Sequence, residues 1–304
     1  MKIGFSSLVC PGWDLATILN RAAEWGFQGV ELRGLRGELH LPMAPELAAH
    51  PESTRRMFAE RAIECVSLGS SVVLSPADKK ELARQKDSLR EFMELAHRLG
   101  CPHVRLFGGE VGPRDTAQAA LARTAEALAS MMPTAAALNV TLLVENAGDF
   151  RGSADAWFLC DAVSHPNLRC CWNQCNALAL GERATTSIPR LGGKIGMVHL
   201  CDADFDARGV QTRFRPLGEG GAEVGRTIEI LKGLGFRQYL MFEWPKLWDD
   251  ALPAPEAVLP GAAAFLRAKL DEKQAVLSAY KGDKNAPRFA APRGTAAGAA
   301  QTAP

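Results

Sequence analysis

The chain carries almost no net charge: over 304 residues, 35 Lys and Arg face 34 Asp and Glu, for a formal +1. Nucleic-acid partners select a basic surplus, so this balance argues against one. No apolar run approaches the ~18–20 residues of a membrane span. The opening Met1-Lys2-Ile3-Gly4-Phe5 lacks the layout of a secretory leader. Cysteine is scarce, with eight residues and no C-x-x-C pair. The cysteines read as scattered thiols in a reducing cytoplasm, not as a disulfide framework. A G-x-x-x-x-G-K-[ST] element is missing, which excludes a phosphate-loop NTPase. The glycine-rich Gly218-Glu219-Gly220-Gly221 follows no strand pattern. No repeat of solenoid length occurs.

What the chain does have is a regular alternation. Short apolar runs occupy 2–6, 29–33, 65–70, 103–108, 141–146, 170–174, 195–201 and 239–244, each followed by a helical pattern. Their starts lie 25 to 44 residues apart, the length of one strand, one helix and two loops. Helices are predicted over 15–25, capped by Asp14 and stopped by Gly26, and over 76–99, ended by Gly100. Others are predicted over 115–138 with an interruption at Pro133, and over 153–164, 223–234 and 257–270. Eight such units predict an α/β fold, a (β/α)8 TIM barrel spanning residues 1–282. A doubly wound sheet is the structural alternative. Residues 283–304, rich in Ala, Pro and Gly, are expected to be a disordered tail.

The chemistry collects at the strand ends. Leu142-Leu143-Val144-Glu145, Met197-Val198-His199 and Met241-Phe242-Glu243 each finish an apolar run with a polar side chain. In a barrel these ends converge on one mouth, and strand alternation turns Glu145, His199 and Glu243 into the lumen. One such residue alone reads as a loop salt bridge or a satisfied core histidine. Three at equivalent strand ends read as a divalent-metal site. Strand six, Cys170-Cys171-Trp172-Asn173-Gln174-Cys175-Asn176, would supply a fourth ligand. Cys171, Cys175 and His199 could instead hold zinc, although strand thiols are usually plain core residues.

These segments, with Gly26-Phe27-Gln28-Gly29-Val30-Glu31-Leu32-Arg33, His103-Val104-Arg105-Leu106-Phe107, Val144-Glu145-Asn146, Val198-His199-Leu200-Cys201-Asp202 and Leu217-Gly218-Glu219-Gly220, resemble one family in order and spacing. It is the sugar phosphate isomerase/epimerase family of xylose-isomerase-like TIM barrels, which includes tagatose 3-epimerase-type enzymes, inosose dehydratases and hydroxypyruvate isomerases. The resemblance covers residues 1–270 and implies one Mn²⁺, Mg²⁺ or Co²⁺ held by a Glu, an Asp, a His and a second Glu. Glu145, His199 and Glu243 match three of these. The family's W-D-x-x-H motif is here Trp172-Asn173-Gln174-Cys175-Asn176. Asn173 stands at the Asp ligand, and Asn176 stands where a substrate-binding His is common. An amide oxygen can ligate a hard cation, but with one negative charge fewer.

The resemblance therefore implies a metal-dependent isomerase or epimerase of a small keto sugar or inosose. Glu145 and Glu243 would move the proton beside the carbonyl through an enediolate. The alternatives are a dehydratase on a similar substrate, or a non-catalytic sugar-binding barrel whose metal site has lapsed. Glu31, Arg33 and Arg105 share lumen-facing parity and are candidate substrate contacts; a buried Glu31–Arg105 ion pair is the competing reading. Arg208, with Arg213 and Arg215, could meet an anionic group, or all three could be solvated loop arginines. Trp244, like Trp13, could wall a sugar face or pack in the core or rim. A DNA-repair endonuclease of the same barrel would need more metal ligands than the six histidines here provide. The expected partner is a small-molecule sugar or cyclitol; a homo-oligomer is left open.

Overall fold

Alternation along each strand decides what the barrel encloses. A computed structural model describes residues 1–206 and 210–272. Arg208 and the tail 283–304 lie outside the described residues. The strands are β1 (Lys2–Ser6), β2 (Gly29–Leu32), β3 (Glu64–Val73), β4 (His103–Gly109), β5 (Thr141–Gly148), β6 (Leu168–Asn173), β7 (Ile195–Leu200), β8 (Asp202–Phe205), β9 (Gln211–Arg215) and β10 (Tyr239–Phe242). The helices are α1 (Leu15–Glu24), α2 (Pro45–Ala48), α3 (Pro51–Glu60), α4 (Lys79–Leu99), α5 (Ala117–Ala137), α6 (Ser153–Val163), α7 (Gln174–Leu178), α8 (Ala184–Leu191), α9 (Val224–Gly233) and α10 (Pro255–Asp271). Strands β1 to β7 and β10 close a parallel barrel in which β10 sits between β7 and β1, while β8 and β9 form a separate antiparallel hairpin. This is the (β/α)8 architecture, and it replaces the doubly wound alternative.

Two apolar layers hold it. Val66, Leu143, Cys171, Met197, Tyr239 and Met241 fill the barrel interior. Val144, Trp172, Val198 and Phe242, one residue further along their strands, belong to the larger layer between sheet and helices. The residues two positions after Leu143, Cys171, Met197 and Met241 therefore return to the lumen, one level higher: Glu145, Asn173, His199 and Glu243. The caps act as expected. Asp14 accepts from Thr17 N–H at 2.8 Å, and Gly100 ends α4 at φ +67°, where a side chain would be strained.

Pro133 does not interrupt α5. It lies on the solvent face, where water can meet the carbonyl it leaves unpaired. The hairpin replaces part of what reads as a long connection; its charged strands carry little apolar alternation. Among the described cysteines, Cys10, Cys65, Cys101, Cys160, Cys170 and Cys171 are free thiols. Cys175 and Cys201 are joined, with Cα atoms 6.4 Å apart, so the reading of eight separate thiols is corrected for this pair. Among the described residues no helix is long and apolar enough to cross a membrane.

The L-G-E-G segment proves to be architectural. Asp202 Oδ2 accepts from Gly218 and Gly220 N–H at 2.8 and 3.1 Å, and its Oδ1 from Ala203 and Ala222 N–H, both at 3.0 Å. The backbone passes so close that a Cβ on Gly220 would stand 2.7 Å from Ala203 N and O. Gly220→Ala is expected to lower stability by about 1–3 kcal/mol. Gly221→Ala, whose Cβ would meet only contacts of 3.6 and 3.7 Å, should leave it unchanged. Thermal melts of the two variants check this, and equal midpoints would refute the crowding argument.

Candidate metal centre at the barrel mouth

Each polar side chain at the mouth is placed by its strand end. Glu145 extends from β5 inside the barrel. Asn146, its neighbour, pairs with the backbone of Asn173: Oδ1 accepts from Asn173 N–H at 2.6 Å and Nδ2 donates to Asn173 O at 3.0 Å. Strand β6 ends at Asn173 because that residue turns to cap α7, its Oδ1 accepting from Asn176 N–H at 3.2 Å. Glu243 lies one residue beyond β10 but stays in the ladder through its N–H, which donates to Leu200 O at 2.9 Å.

The four residues expected as ligands converge. His199 Nδ1 is 3.3 Å from Glu145 Oε1 and 3.5 Å from Glu243 Oε1. The Asn173 amide nitrogen donates to Glu145 Oε1 and Glu243 Oε2, both at 2.8 Å. On the other side, His199 Nε2 is 3.0 Å from Glu31 Oε2. Arg105 Nε lies 3.1 Å from Glu145 Oε2 and 3.7 Å from Glu31 Oε1. The Glu31–Arg105 contact is thus present as part of a shared network.

Charges respond to this crowding. Burial opposes ionisation of Glu145, but Arg105 and His199 outweigh it and hold its carboxyl down at about 2. Burial raises Glu243, and His199 only partly offsets the added repulsion from Glu145 and Glu31. Burial alone would neutralise His199, yet Cys171 and the carboxylates of Glu31, Glu243 and Glu145 hold it well above the ordinary imidazole range. The two acids are driven apart, the pattern of a carboxylate beside a proton carrier.

A divalent ion fits this donor set. Ligand atoms about 2.0–2.2 Å from an ion stand about 3.0–3.5 Å apart, and His199 Nδ1 has that spacing from both Glu145 and Glu243. Glu145 Oε2, His199 Nε2 and both Glu31 oxygens are buried with no partner but the ion-pair contacts among Arg105, Glu31, Glu145 and His199. Glu145, Cys171 and His199 also offer ligand atoms within 4.8 Å of one another. Burial pushes the Cys171 thiol up to about 12, and Cys175 is joined to Cys201, so the paired-thiolate zinc alternative loses one of its sulfurs.

The other candidate residues separate. Arg33, just past β2, lies beside Arg105 and Glu31 over Gly69. Asn176 lies in the first turn of α7, its backbone serving the Asn173 cap. Trp244 is fully buried: it stacks on Phe242, meets Phe214 edge-on and donates to Pro253 O. The expectation of a sugar-facing wall is corrected; the chain turns after Glu243 and sends the next side chain into the core. Arg215 pairs with Asp204 at 2.7 Å and Arg213 is exposed, so the loop arginines do not form one cluster among the described residues. Sequence reasoning missed Asn146, which pairs with the Asn173 backbone, Gly69, where a Cβ would meet Arg33 and Arg105, and Trp248, whose ring centroid lies 5.8 Å from Arg33 Cζ. A glycine inside β3 is the one signal that could have marked a crowded lumen.

Asn173 is the informative departure. Its nitrogen tethers two carboxylates while its oxygen caps a helix. An Asp there would keep the cap but set a third carboxylate against Glu145 and Glu243. Asn173→Asp is therefore expected to lower the melting temperature of metal-stripped protein and to tighten Mn²⁺ binding by about tenfold or more. Calorimetric titration with Mn²⁺ measures the second effect; equal or weaker binding would mean that position 173 does not serve the ion.

No curated protein sequence matches the chain. Among solved structures it resembles L-ribulose 3-epimerase, with TM-score 0.73 and 20% identity over 94% of this chain and 99% of that one. It resembles the IolI protein with a bound zinc atom at TM-score 0.76 and 17% identity, over 89% and 98%. The probable 3-DHS dehydratase AsbF of Bacillus anthracis gives TM-score 0.70 and 17% identity, over 88% and 99%. At these identities the likeness shows the fold. The xylose isomerase-like TIM barrel profile matches residues 19–269, and the chain belongs to that family.

Proposed function

We propose that the protein is a sugar-modifying enzyme that moves a proton beside the carbonyl of a small keto sugar or cyclitol, assisted by a divalent cation. The observation that carries this reading is the convergence of Glu145, His199 and Glu243 at the mouth. Glu145, His199 and Glu243 would hold the ion, and Asn173 would contribute only if its amide turned over. When bound, such an ion polarises a carbonyl and stabilises negative charge developing on the neighbouring oxygens. Glu145, kept ionised by Arg105, can accept a proton; Glu243, with its raised affinity for protons, can return one. Arg105 fixes the Glu145 carboxylate and Asn173 sets the distance between the two acids.

Incubation in D₂O with ketohexoses, ketopentoses, inososes and keto sugar acids tests this. At least one substrate should gain deuterium beside its carbonyl, and chelation should abolish the gain. Loss of a β-hydroxyl from the exchanged product would assign a dehydratase. The Asn173 tether, which joins the carboxylates without an ion, supports a second reading, a sugar-binding barrel without catalysis. Purification without metal and without exchange would select it.

A further inference from the structure

Arg33 is 3% exposed, and its Nη2 donates to a neutral hydroxyl, Ser71 Oγ, at 2.8 Å. Its Nη1 is buried with no hydrogen-bond partner, and among the described residues no carboxylate comes within ion-pairing distance of it. A buried guanidinium is normally paired, because the desolvation it suffers is severe without a counterion. Its neighbour Arg105 does have its carboxylates, Glu145 and Glu31. Arg33 has none of its own, and burial together with Arg105 brings its pKa down to about 10.

The surroundings are shaped around this cation. Its Cζ lies 5.8 Å from the Phe107 ring centroid and 5.8 Å from that of Trp248, so two rings flank the guanidinium. Gly69 makes room beneath: a Cβ there would stand 2.8 Å from Arg33 Cδ and 2.9 Å from Arg105 Nη2. The missing partner is therefore an anion that the described residues do not supply.

We infer that Arg33 is the substrate's counterion and that the substrate carries a carboxylate beside its carbonyl-bearing part. This deepens the functional reading above and rests on the mouth being the substrate site. A flat guanidinium edge between two rings matches a planar carboxylate through paired N–H donors. The substrate class is then a sugar acid or cyclic hydroxy acid rather than a neutral sugar.

Binding of glycerate, glycerol and glycerol 3-phosphate to the full chain at constant ionic strength, by saturation-transfer NMR, tests this without turnover. Glycerate is expected to bind about tenfold or more tightly than glycerol, as a charge-assisted pair would give. Arg33→Met should erase the preference and Arg33→Lys should retain part of it. A carboxylate held by a bound metal ion would keep its preference in Arg33→Met, and that result overturns the assignment. So would equal binding of glycerate and glycerol. Tighter binding of glycerol 3-phosphate, lost in the same variant, would overturn the carboxylate in favour of a phosphate ester. Because Arg33 has no counterion among the described residues, Arg33→Met should melt no lower than the wild type; a structural arginine would give a clear loss. Trp248→Ala, at an exposed position, should weaken glycerate binding with the fold intact. If glycerate binds through Arg33 while neither neutral sugars nor keto sugar acids exchange deuterium, catalysis is refuted and the anion site stands.

Discussion

Glu145→Gln and Glu243→Gln are each expected to slow deuterium incorporation by about 10²–10⁴-fold. Each change removes a proton carrier and a metal ligand while preserving shape. The two should differ in kind. Glu145 is held ionised by Arg105, so its loss also frees that guanidinium. Glu243 has the raised proton affinity, so its loss should remove the rate's dependence on a group titrating above the usual carboxylate range. Rates within a few-fold of wild type in either variant would remove that residue from the chemistry.

The largest effect on stability is expected from Arg105→Met. Arg105 is 1% exposed, lies between Glu145 and Glu31, donates to Ser70 O at 2.8 Å and stacks 4.4 Å from the Phe107 centroid. Without it, two buried carboxylates lose their guanidinium, a change that costs about 3–5 kcal/mol. The pH dependence has a definite sign. Glu145 in the folded chain sits at about 2 against an ordinary 4.5. Its contribution is therefore complete above 4.5 and is lost as the pH falls from 4.5 toward 2. In Arg105→Met this acid-side loss should shrink, because the folded and unfolded affinities for the proton draw together. Urea melts of both proteins from about pH 3 to about pH 7 would show it. Parallel curves would mean that Arg105 does not set the Glu145 charge.

The barrel was readable because strand ends and apolar alternation leave a signal in every unit. Val144 beside Glu145 and Val198 beside His199 give the facing directly. The lost elements have physical reasons. Helix α3 buries little apolar surface, so its Pro-led, charged sequence reads as loop. The β8–β9 hairpin is held by backbone pairing, with Arg215 answering Asp204, and only Phe205 and Phe214 pack from it against the core, too few to read as an alternating strand. At the site, residue types and strand parity brought Glu145, His199 and Glu243 together, but no pattern shows which end of an amide points inward. That depends on α7 beginning at once after Asn173 and needing its oxygen. Trp244 misled because alternation ends where the strand does. Arg33 kept its parity one residue past β2, yet its lack of a counterion is a property of three dimensions.

The seam of the barrel has a consequence for biosynthesis. Strand β1 pairs with β2 on one side and with β10 on the other, Lys2 opposite Tyr239 and Phe5 opposite Phe242. On the ribosome, the first strand must therefore wait for nearly the whole described chain to emerge before its second edge is covered. During that interval it presents open backbone donors and acceptors beside apolar Ile3 and Phe5, a template for pairing with another nascent chain. The last ligand, Glu243, is made by the same late segment, so the mouth is completed only when the seam closes. Folding should accordingly be slow for a chain of this length and sensitive to chaperone supply, whereas the finished barrel offers no free edge at this seam.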